Sequence, residues 1–302
     1  MTGIARLVHA AAAGALSAGA AGATGQDAAD ETGGMPTSPP AEPAAQEDSI
    51  SVAVDLTVTN SYYFRGIIQE DEGVITQPSA TVTADMEGVT GLPFVLYAGI
   101  WNSFHDRGTG ASDPDDFVSR WYEFDAFAGL ETTIERWTLG GGYTLYSSPN
   151  GAFGSVDEFF FSAAFDDSDL LPVALSPSAV IALEFGENGA DGGSGQGVFL
   201  GLGVEPGIDL IEDGPHPVSL SLPLEAGFSL DDYYEGPSGD DDFFGYFRVG
   251  ANATVGLPVR DGYGDWSLNG GVSLLVLGDS TSDINSGDET DVQIFIGLSG
   301  EV

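Results

Sequence analysis

The 302-residue chain has no cysteine, no lysine and only three histidines. Without cysteine there are no disulfides, no thiolate metal sites, no thiol nucleophile and no lipid anchor on an N-terminal cysteine. The seven basic residues are all arginine: Arg6, Arg65, Arg107, Arg120, Arg136, Arg248 and Arg260. Against them stand 47 acids, for a formal net charge of −40. Such a chain cannot neutralise phosphates, which excludes nucleic acid as a partner. Solubility in saline surroundings and an electrostatic funnel for cations are two readings of the same charge. Also missing is any stretch of about eighteen uncharged apolar residues beyond the leader, so no helix crosses a bilayer.

What is present falls into three parts. Residues 1–23 have the form of a secretory signal peptide: Arg6 is the only charge, residues 7–20 are apolar and Ala-rich, and Ala21-Gly22-Ala23 offers a small-x-small cleavage site. Residues 24–49 are rich in Ala, Pro, Gly and acids, with little to bury, and are expected to be a disordered lead-in. Residues 50–302 carry short runs of alternating apolar residues separated by Gly- and Asp-rich turns, the pattern of a single large β-domain.

The clearest run is 50–69. Ile50, Val52, Val54, Leu56 and Val58 share one parity, while Ser51, Asp55, Thr57 and Thr59 share the other. A strand sends successive side chains to opposite faces, so this ribbon has one greasy and one wet face. Tyr62 and Phe64 continue the greasy parity and Arg65 the wet one, which extends the predicted strand to residue 65. Eleven further strand candidates follow, at 79–86, 94–102, 121–130, 137–146, 158–165, 178–185, 197–205, 218–230, 243–255, 266–277 and 291–298. Most have the length a tilted strand needs to cross hydrocarbon.

Phasing each strand by its larger apolar residues gives one outward set. It includes Val82 and Met86; Tyr122, Phe124 and Leu130; Trp137, Leu139, Tyr143 and Leu145; Phe159, Phe161 and Phe165; Ile181, Leu183 and Phe185; Leu200 and Leu202; and Val292, Ile294, Ile296 and Leu298. The strand charges Asp55, Arg65, Asp85, Glu123, Asp125, Glu158, Glu184, Glu205, Glu225 and Arg248 all fall on the opposite parity. A charge facing lipid at mid-depth costs about 2–4 kcal/mol, so this exclusion is what a membrane barrel requires. The expected fold is therefore all-β: a transmembrane antiparallel up-and-down β-barrel of about twelve strands, with a range of ten to fourteen. The range reflects two long, partly apolar connections, 166–177 and 206–217, each readable as an extra short strand or a cover. By the same phase Val95, Tyr97, Phe127, Phe160 and Phe244 face inward and constrict the interior.

Ser61-Tyr62-Tyr63-Phe64-Arg65-Gly66-Ile67-Ile68-Gln69 resembles the S-x-Y-x-F-R-G-I-S-Q signature that opens the TorF-type porin family of Gram-negative outer membranes. Tyr97 to Ser103 is similar to that family's YAGVWGSN, Trp121 to Gly129 to its EIDLYAGY-like strand, and Gly142 to Gly151 to its GYIYYTYPG-like hairpin. The match spans roughly residues 50 to 165. The resemblance implies an outer-membrane barrel and marks Tyr62, Phe64, Arg65 and Gly66 as family-motif residues. The chain departs from the usual pattern of such barrels in ending on Val302 rather than an aromatic residue.

Candidates for chemistry are few. Ser103, His105 and Asp106 sit together in a predicted loop, but nucleophile, base and orienting acid normally converge from distant segments, so a solvated loop histidine is the expectation. His216 lies between two prolines without an evident partner. Gly278-Asp279-Ser280 has the letters of a GDS lipase motif but is expected to be a turn, lacking the strand–helix context. Acidic clusters at 113–116, 231–232, 240–242 and 283–291, with a Gly-rich segment at 190–195, lack the order of a calcium loop. Weak loop binding of divalent cations is the most they suggest; no metal site and no cofactor is expected.

The remaining candidates are the inward charges. Asp55, Arg65, Glu123, Asp125, Glu158, Glu184, Glu225 and Arg248 are the predicted pore-lining residues, with the two arginines facing acids across the lumen. The expected function is a porin-like channel of the outer membrane for small hydrophilic solutes, favouring cations, without enzymatic activity. The alternative is a non-conducting barrel whose acidic loops serve structure or surface interaction. Partners are outer-membrane lipid and small solutes; association into a homo-oligomer is left open.

Overall fold

The computed structural model describes residues 50–110, 116–190, 196–236, 239–260 and 262–302. The signal-peptide and lead-in assignments lie outside the described residues. The strands in chain order are β1 (Ile50–Thr59), β2 (Tyr62–Phe64), β3 (Ile67–Glu70), β4 (Ile75–Asp85), β5 (Phe94–His105), β6 (Trp121–Ile134), β7 (Trp137–Ser147) and β8 (Val156–Phe165). They continue with β9 (Ser178–Phe185), β10 (Val198–Val204), β11 (Gly207–Ile211), β12 (Val218–Ser221), β13 (Leu224–Asp231), β14 (Phe244–Leu257), β15 (Asp265–Leu277) and β16 (Thr290–Glu301).

Twelve of these form a closed antiparallel ring in the order β1, β4, β5, β6, β7, β8, β9, β10, β13, β14, β15, β16. The seam is β1 on β16, with Ala53 opposite Glu301 and Thr59 opposite Phe295. Closure leaves no unpaired edge, which is what permits a sheet to sit in hydrocarbon. Both ends of the ring's chain lie on one rim, here called the terminal rim. The tightest connection there is at β6–β7, where Ile134 pairs with Trp137 across Glu135-Arg136, while 166–177 and 206–217 on the same rim are long. The opposite rim, here called the loop rim, carries the other long connections, such as 106–120, 232–243 and 278–289.

The two strands β11 and β12 do not enlarge the ring. They lengthen β10 and β13, which are interrupted at Glu205-Pro206 and at Leu222-Pro223, and β12 pairs with the terminal half of β14. Proline has no N–H for the ladder, so the two prolines break both strands at one level. The gap is bridged by Leu222 N–H donating to Pro206 O at 2.9 Å and by Glu205 N–H donating to Leu175 O at 2.7 Å. The connection at 206–217 is thus a strand extension with a turn at 212–217. The one at 166–177 contains no strand: the buried Asp167 carboxylate accepts from the N–H groups of Leu175 and Ser176 at 2.9–3.1 Å and shapes a turn. Pro78 is accommodated inside β4 because Gln77 and Pro78 have no partners on the β5 side, where the register passes from Thr76 opposite Phe104 to Ser79 opposite Trp101.

The outer surface of the ring is apolar over its height. Val82, Leu130, Phe159, Phe161, Ile181, Leu183, Val292, Ile294 and Ile296 are all exposed, Phe161 by 62%. Aromatic clusters gather near both rims: Trp137 with Phe165 at the terminal rim, and Phe104 with Phe117 and Trp121 at the loop rim. The expected outward sets hold for β4 and β7 to β10 and for β16. Three positions differ. Tyr122 is buried, because a bulge at Ser103/Phe104 shifts the β5–β6 register and turns it into the barrel while Trp121 takes the outside. Phe244, expected inside, is on the outside beside Phe228, because a register shift at Gly227/Phe228 reverses the phase at that end of β14. The third difference is the first strand, which ends at Thr59 rather than continuing to residue 65.

Large side chains occupy much of the interior. Tyr97, Trp101, Phe127, Tyr146, Phe160, Phe199 and Tyr246 point inward and are buried. Several crowd inward glycines of the neighbouring strand: Phe127 at Gly99, Tyr97 at Gly129 and Phe160 at Gly142. A Cβ at any of these glycines would overlap the ring above it. Towards the terminal rim the inward residues become small and polar, with Thr254 Oγ1 donating to Asn269 Oδ1 at 3.0 Å and Asn269 Nδ2 to Ser299 Oγ at 2.8 Å.

Candidate functional site

The chain leaves β1 and does not stay on the wall. The Asn60 side chain bonds twice to β16, donating to Val292 O at 3.1 Å and accepting from Ile294 N–H at 2.6 Å. Ser61 then turns inward, its hydroxyl donating to Asp291 Oδ2 at 3.0 Å and its carbonyl accepting from Thr59 Oγ1 and Gln293 Nε2. From there β2 and β3 form a two-stranded hairpin standing inside the ring. Its tip is Arg65-Gly66, with φ of 50° and 86°. Two successive positive φ values are the signature of a tight hairpin turn, and glycine at the second position meets that demand without strain. Gly66 also lies against the Tyr246 ring, where a Cβ would come within 3.0 Å.

The hairpin carries the residues of the family resemblance into the lumen. Tyr62 and Phe64, expected to face lipid, are buried at 4% and 5% exposure. Tyr62 packs on Trp101 at 5.4 Å, and Phe64 meets Tyr146 edge-on at 5.2 Å. The reason is volume: a ring of this size leaves an interior that side chains from the wall alone do not fill, and aromatic side chains are as well buried there as against lipid.

Arg65 is not a mid-strand wall residue. From the turn it reaches β8 and grips Glu158 with both guanidinium arms, Nη1 to Oε2 at 2.6 Å and Nη2 to Oε1 at 2.9 Å. Nη1 also donates to Tyr233 Oη at 2.9 Å, and the guanidinium lies over the Phe199 ring at 4.4 Å. Glu158 accepts a further bond from Tyr146 Oη at 3.1 Å. Bidentate pairing plus these hydrogen bonds satisfies a charge pair that is 0–2% exposed at the side chains.

The backbone of the tip is held as firmly. Tyr234 Oη donates to Arg65 O at 2.9 Å. Asn285, just past the short helix Asp279–Ile284, donates from Nδ2 to Gly66 O and accepts from Ile68 N–H, both at 2.8 Å. Tyr122 Oη donates to Gln69 Oε1 at 2.6 Å. The hairpin is therefore clamped by β6, β8, the loop that carries Tyr233 and Tyr234, and the loop that carries Asn285. Tyr233, Tyr234 and Asn285 were not predicted as site residues. A Tyr-Tyr pair in an otherwise acidic, Gly-rich connection was the available signal, because aromatic residues in a solvated loop need something to bury against.

The other inward charges take separate places. Arg248 pairs with Glu225, which also accepts from Tyr246 Oη. Glu123 and Asp125 are adjacent on the inward face of β6, at 4% and 1% exposure, with the Tyr62 hydroxyl in reach of Glu123. Glu184 is buried and accepts from Ala190 N–H at 3.1 Å. Asp55 faces inward on β1, opposite Ser79 and Ser299. Among the described residues no two facing rows of unlike charge form: Arg65 pairs with Glu158 and Arg248 with Glu225, while Glu123 and Asp125 stand together without an arginine ion pair.

Ser103 and His105 are not in a solvated loop. Two residues apart on β5, they share the inward face; Ser103 Oγ is 3.1 Å from His105 Nε2, and His105 Nδ1 is 3.6 Å from Glu70 Oε2 on β3. His105 stacks on Tyr122 at 4.5 Å. The acid of this group is Glu70, not Asp106. Ser103 has no exposed surface, and the group places Glu70 of the hairpin's return strand beside the wall. Gly278-Asp279-Ser280 opens the helix Asp279–Ile284 instead of forming a bare turn, and Ser280 is engaged by Asp242, accepting its Oγ bond at 2.8 Å. Parts of the acidic clusters, 113–115 and 191–195, lie outside the described residues.

No protein-family model matches the chain, and no curated protein sequence does. Among solved structures it is similar to the NanC porin at 7% identity, covering 82% of this chain and 98% of that one with a TM-score of 0.44. It is similar to the COG4313 outer membrane channel from Pseudomonas putida F1 at 12% identity, covering 87% and 100% with a TM-score of 0.43. It is also similar to the KdgM porin in complex with disordered oligogalacturonate at 8% identity, covering 83% and 98% with a TM-score of 0.39.

Proposed function

We propose that the protein is an outer-membrane, porin-like channel that favours small hydrophilic cations and is closed, in this conformation, by the hairpin Tyr62–Glu70. The observation that carries the reading is the division of residue types across one closed wall. Aliphatic and aromatic side chains cover the outside, while Asp55, Glu123, Asp125, Glu158, Glu184, Glu225 and Arg248 all face inward. An outside of this kind suits hydrocarbon. Inward acids outnumber the arginines that face them, which biases any opened passage towards cations. The resemblance of residues 61–69 to the TorF-type signature falls on the hairpin itself, so it is the closing element that the resemblance marks. Catalysis forms no part of this reading, since Ser103 and Ser280 are both shut away from solvent.

A second reading rests on the packed interior: a barrel that never conducts, with the hairpin as permanent core. Planar-bilayer recording of the refolded protein separates the two. Replacing residues 62–69 with a short Gly-Ser turn should convert rare or small current steps into frequent, large, cation-selective ones. Silence in both proteins, each inserted and folded, means a structural barrel.

A further inference from the structure

Between the hairpin and the wall is a cavity of about 200 Å³. The hairpin supplies Phe64, Ile67 and Gln69 to it; the wall supplies Glu123 and Tyr146; and Phe153 comes from the connection after β7. Phe153, Gly189 and Ala190 among its lining residues belong to connections at the loop rim. Its walls are mostly aromatic and aliphatic, and its one ionisable carboxyl is that of Glu123, which is 4% exposed. No basic residue lines it among the described residues. A cavity with apolar walls and one buried polar anchor is the usual form of a small-molecule site.

From this geometry we infer that the cavity is a binding site for a small organic cation, an aryl-alkyl ammonium, and that its occupation holds the channel shut. The ammonium sits on the Glu123 carboxylate, next to Asp125, and so supplies the positive partner that no arginine provides. Aromatic faces at Phe64, Tyr146 and Phe153 receive the apolar body and add cation–π attraction. Anions are rejected by the same carboxylates. The hairpin builds half of the cavity, so the site exists only while the hairpin is seated. A ligand that binds one state and not the other shifts the balance towards the state it binds. This coupling rests on the proposed channel function; the binding itself does not.

The test uses the full chain refolded in detergent micelles and titrated calorimetrically with phenethylammonium chloride. Saturable one-site binding is expected, about tenfold weaker in Glu123→Gln and also weaker in Phe153→Ala, a loop change that leaves the wall intact. The neutral 2-phenylethanol should bind about tenfold more weakly than the ammonium. No saturable binding, or affinity unchanged in both variants, overturns the site. Equal affinity for the alcohol overturns the assignment to cations. In planar bilayers phenethylammonium should lower the open probability of the wild type and leave the hairpin-deleted protein unaffected. Binding with open probability unchanged overturns the coupling alone. Binding together with silence in both proteins leaves the site standing and removes the channel reading.

Discussion

Arg65 concentrates the energetics of the lumen. Its removal would leave Glu158 buried with only Tyr146 to bond it, and breaking one side of a buried pair costs about 3–5 kcal/mol. Arg65→Ala is therefore expected to lower the thermal unfolding midpoint in micelles and to raise open probability in bilayers. Arg65→Lys should recover little, since an ammonium cannot make the two-armed contact or lie flat on Phe199. A midpoint and a conductance equal to wild type would show that the pair does not seat the hairpin. Gly245 offers a second check. A Cβ there would overlap the Tyr234 ring, whose hydroxyl holds Arg65 O. Gly245→Ala should cost about 1–3 kcal/mol, and its effect should shrink when Tyr234 is already Ala, a non-additivity that a double-mutant cycle reads directly. At this scale the sequence was informative about side but not about partner. Alternation placed Glu123, Asp125, Glu158, Glu184 and Arg248 inside. It could not reveal that Arg65 meets Glu158, because that contact joins a turn to a strand 93 residues away.

Among the elements, the hairpin is the one whose nature alternation misjudged. From Ile50 to Phe64 the greasy parity is interrupted only at Asn60, and periodicity is blind to whether an aromatic side chain is buried by lipid or by a lumen. The distinguishing marks were local: Asn60-Ser61, which stop β1 by bonding to β16, and Arg65-Gly66, which supply the turn. The bulge at Ser103/Phe104 that turns Tyr122 inward leaves no period-2 signal either. Ser103 and His105 read as loop residues, because the predicted strand ends at Asn102; β5 runs on to His105 and puts both on one face, while their acid, Glu70, arrives on the hairpin. If this trio is a brace, Ser103→Ala should leave the protein without any change in ester hydrolysis and should reduce protection of the Ile67–Glu70 amides in hydrogen exchange. A hydrolytic activity lost in that variant would assign chemistry to it instead.

For the whole molecule the decisive property is which face meets hydrocarbon. Three tryptophans, Trp121, Trp137 and Trp266, belong to the two rims on the outside, whereas Trp101 is 7% exposed inside. Lipids brominated at increasing chain depth should quench the rim tryptophans most when the bromine is shallow and leave Trp101 bright. Strong quenching of Trp101, isolated by Phe replacement of the other three, would invert the barrel. Phe161→Arg, in the exposed belt, should cost about 2–4 kcal/mol of stability in a bilayer. The ring of twelve strands and the segregation of charge were both readable beforehand, since each follows from length and parity. The seam has a consequence for biogenesis. Asn60 and Ser61, the stem of the hairpin, are tied to Val292, Ile294 and Asp291 on β16, the strand that closes the ring on β1. On the proposed channel reading, the hairpin is not seated until that closure is made, and a barrel awaiting that step would leak. On the proposed channel reading, closing the wall and seating the hairpin are one event, so tightness and the completed fold arrive at the same moment.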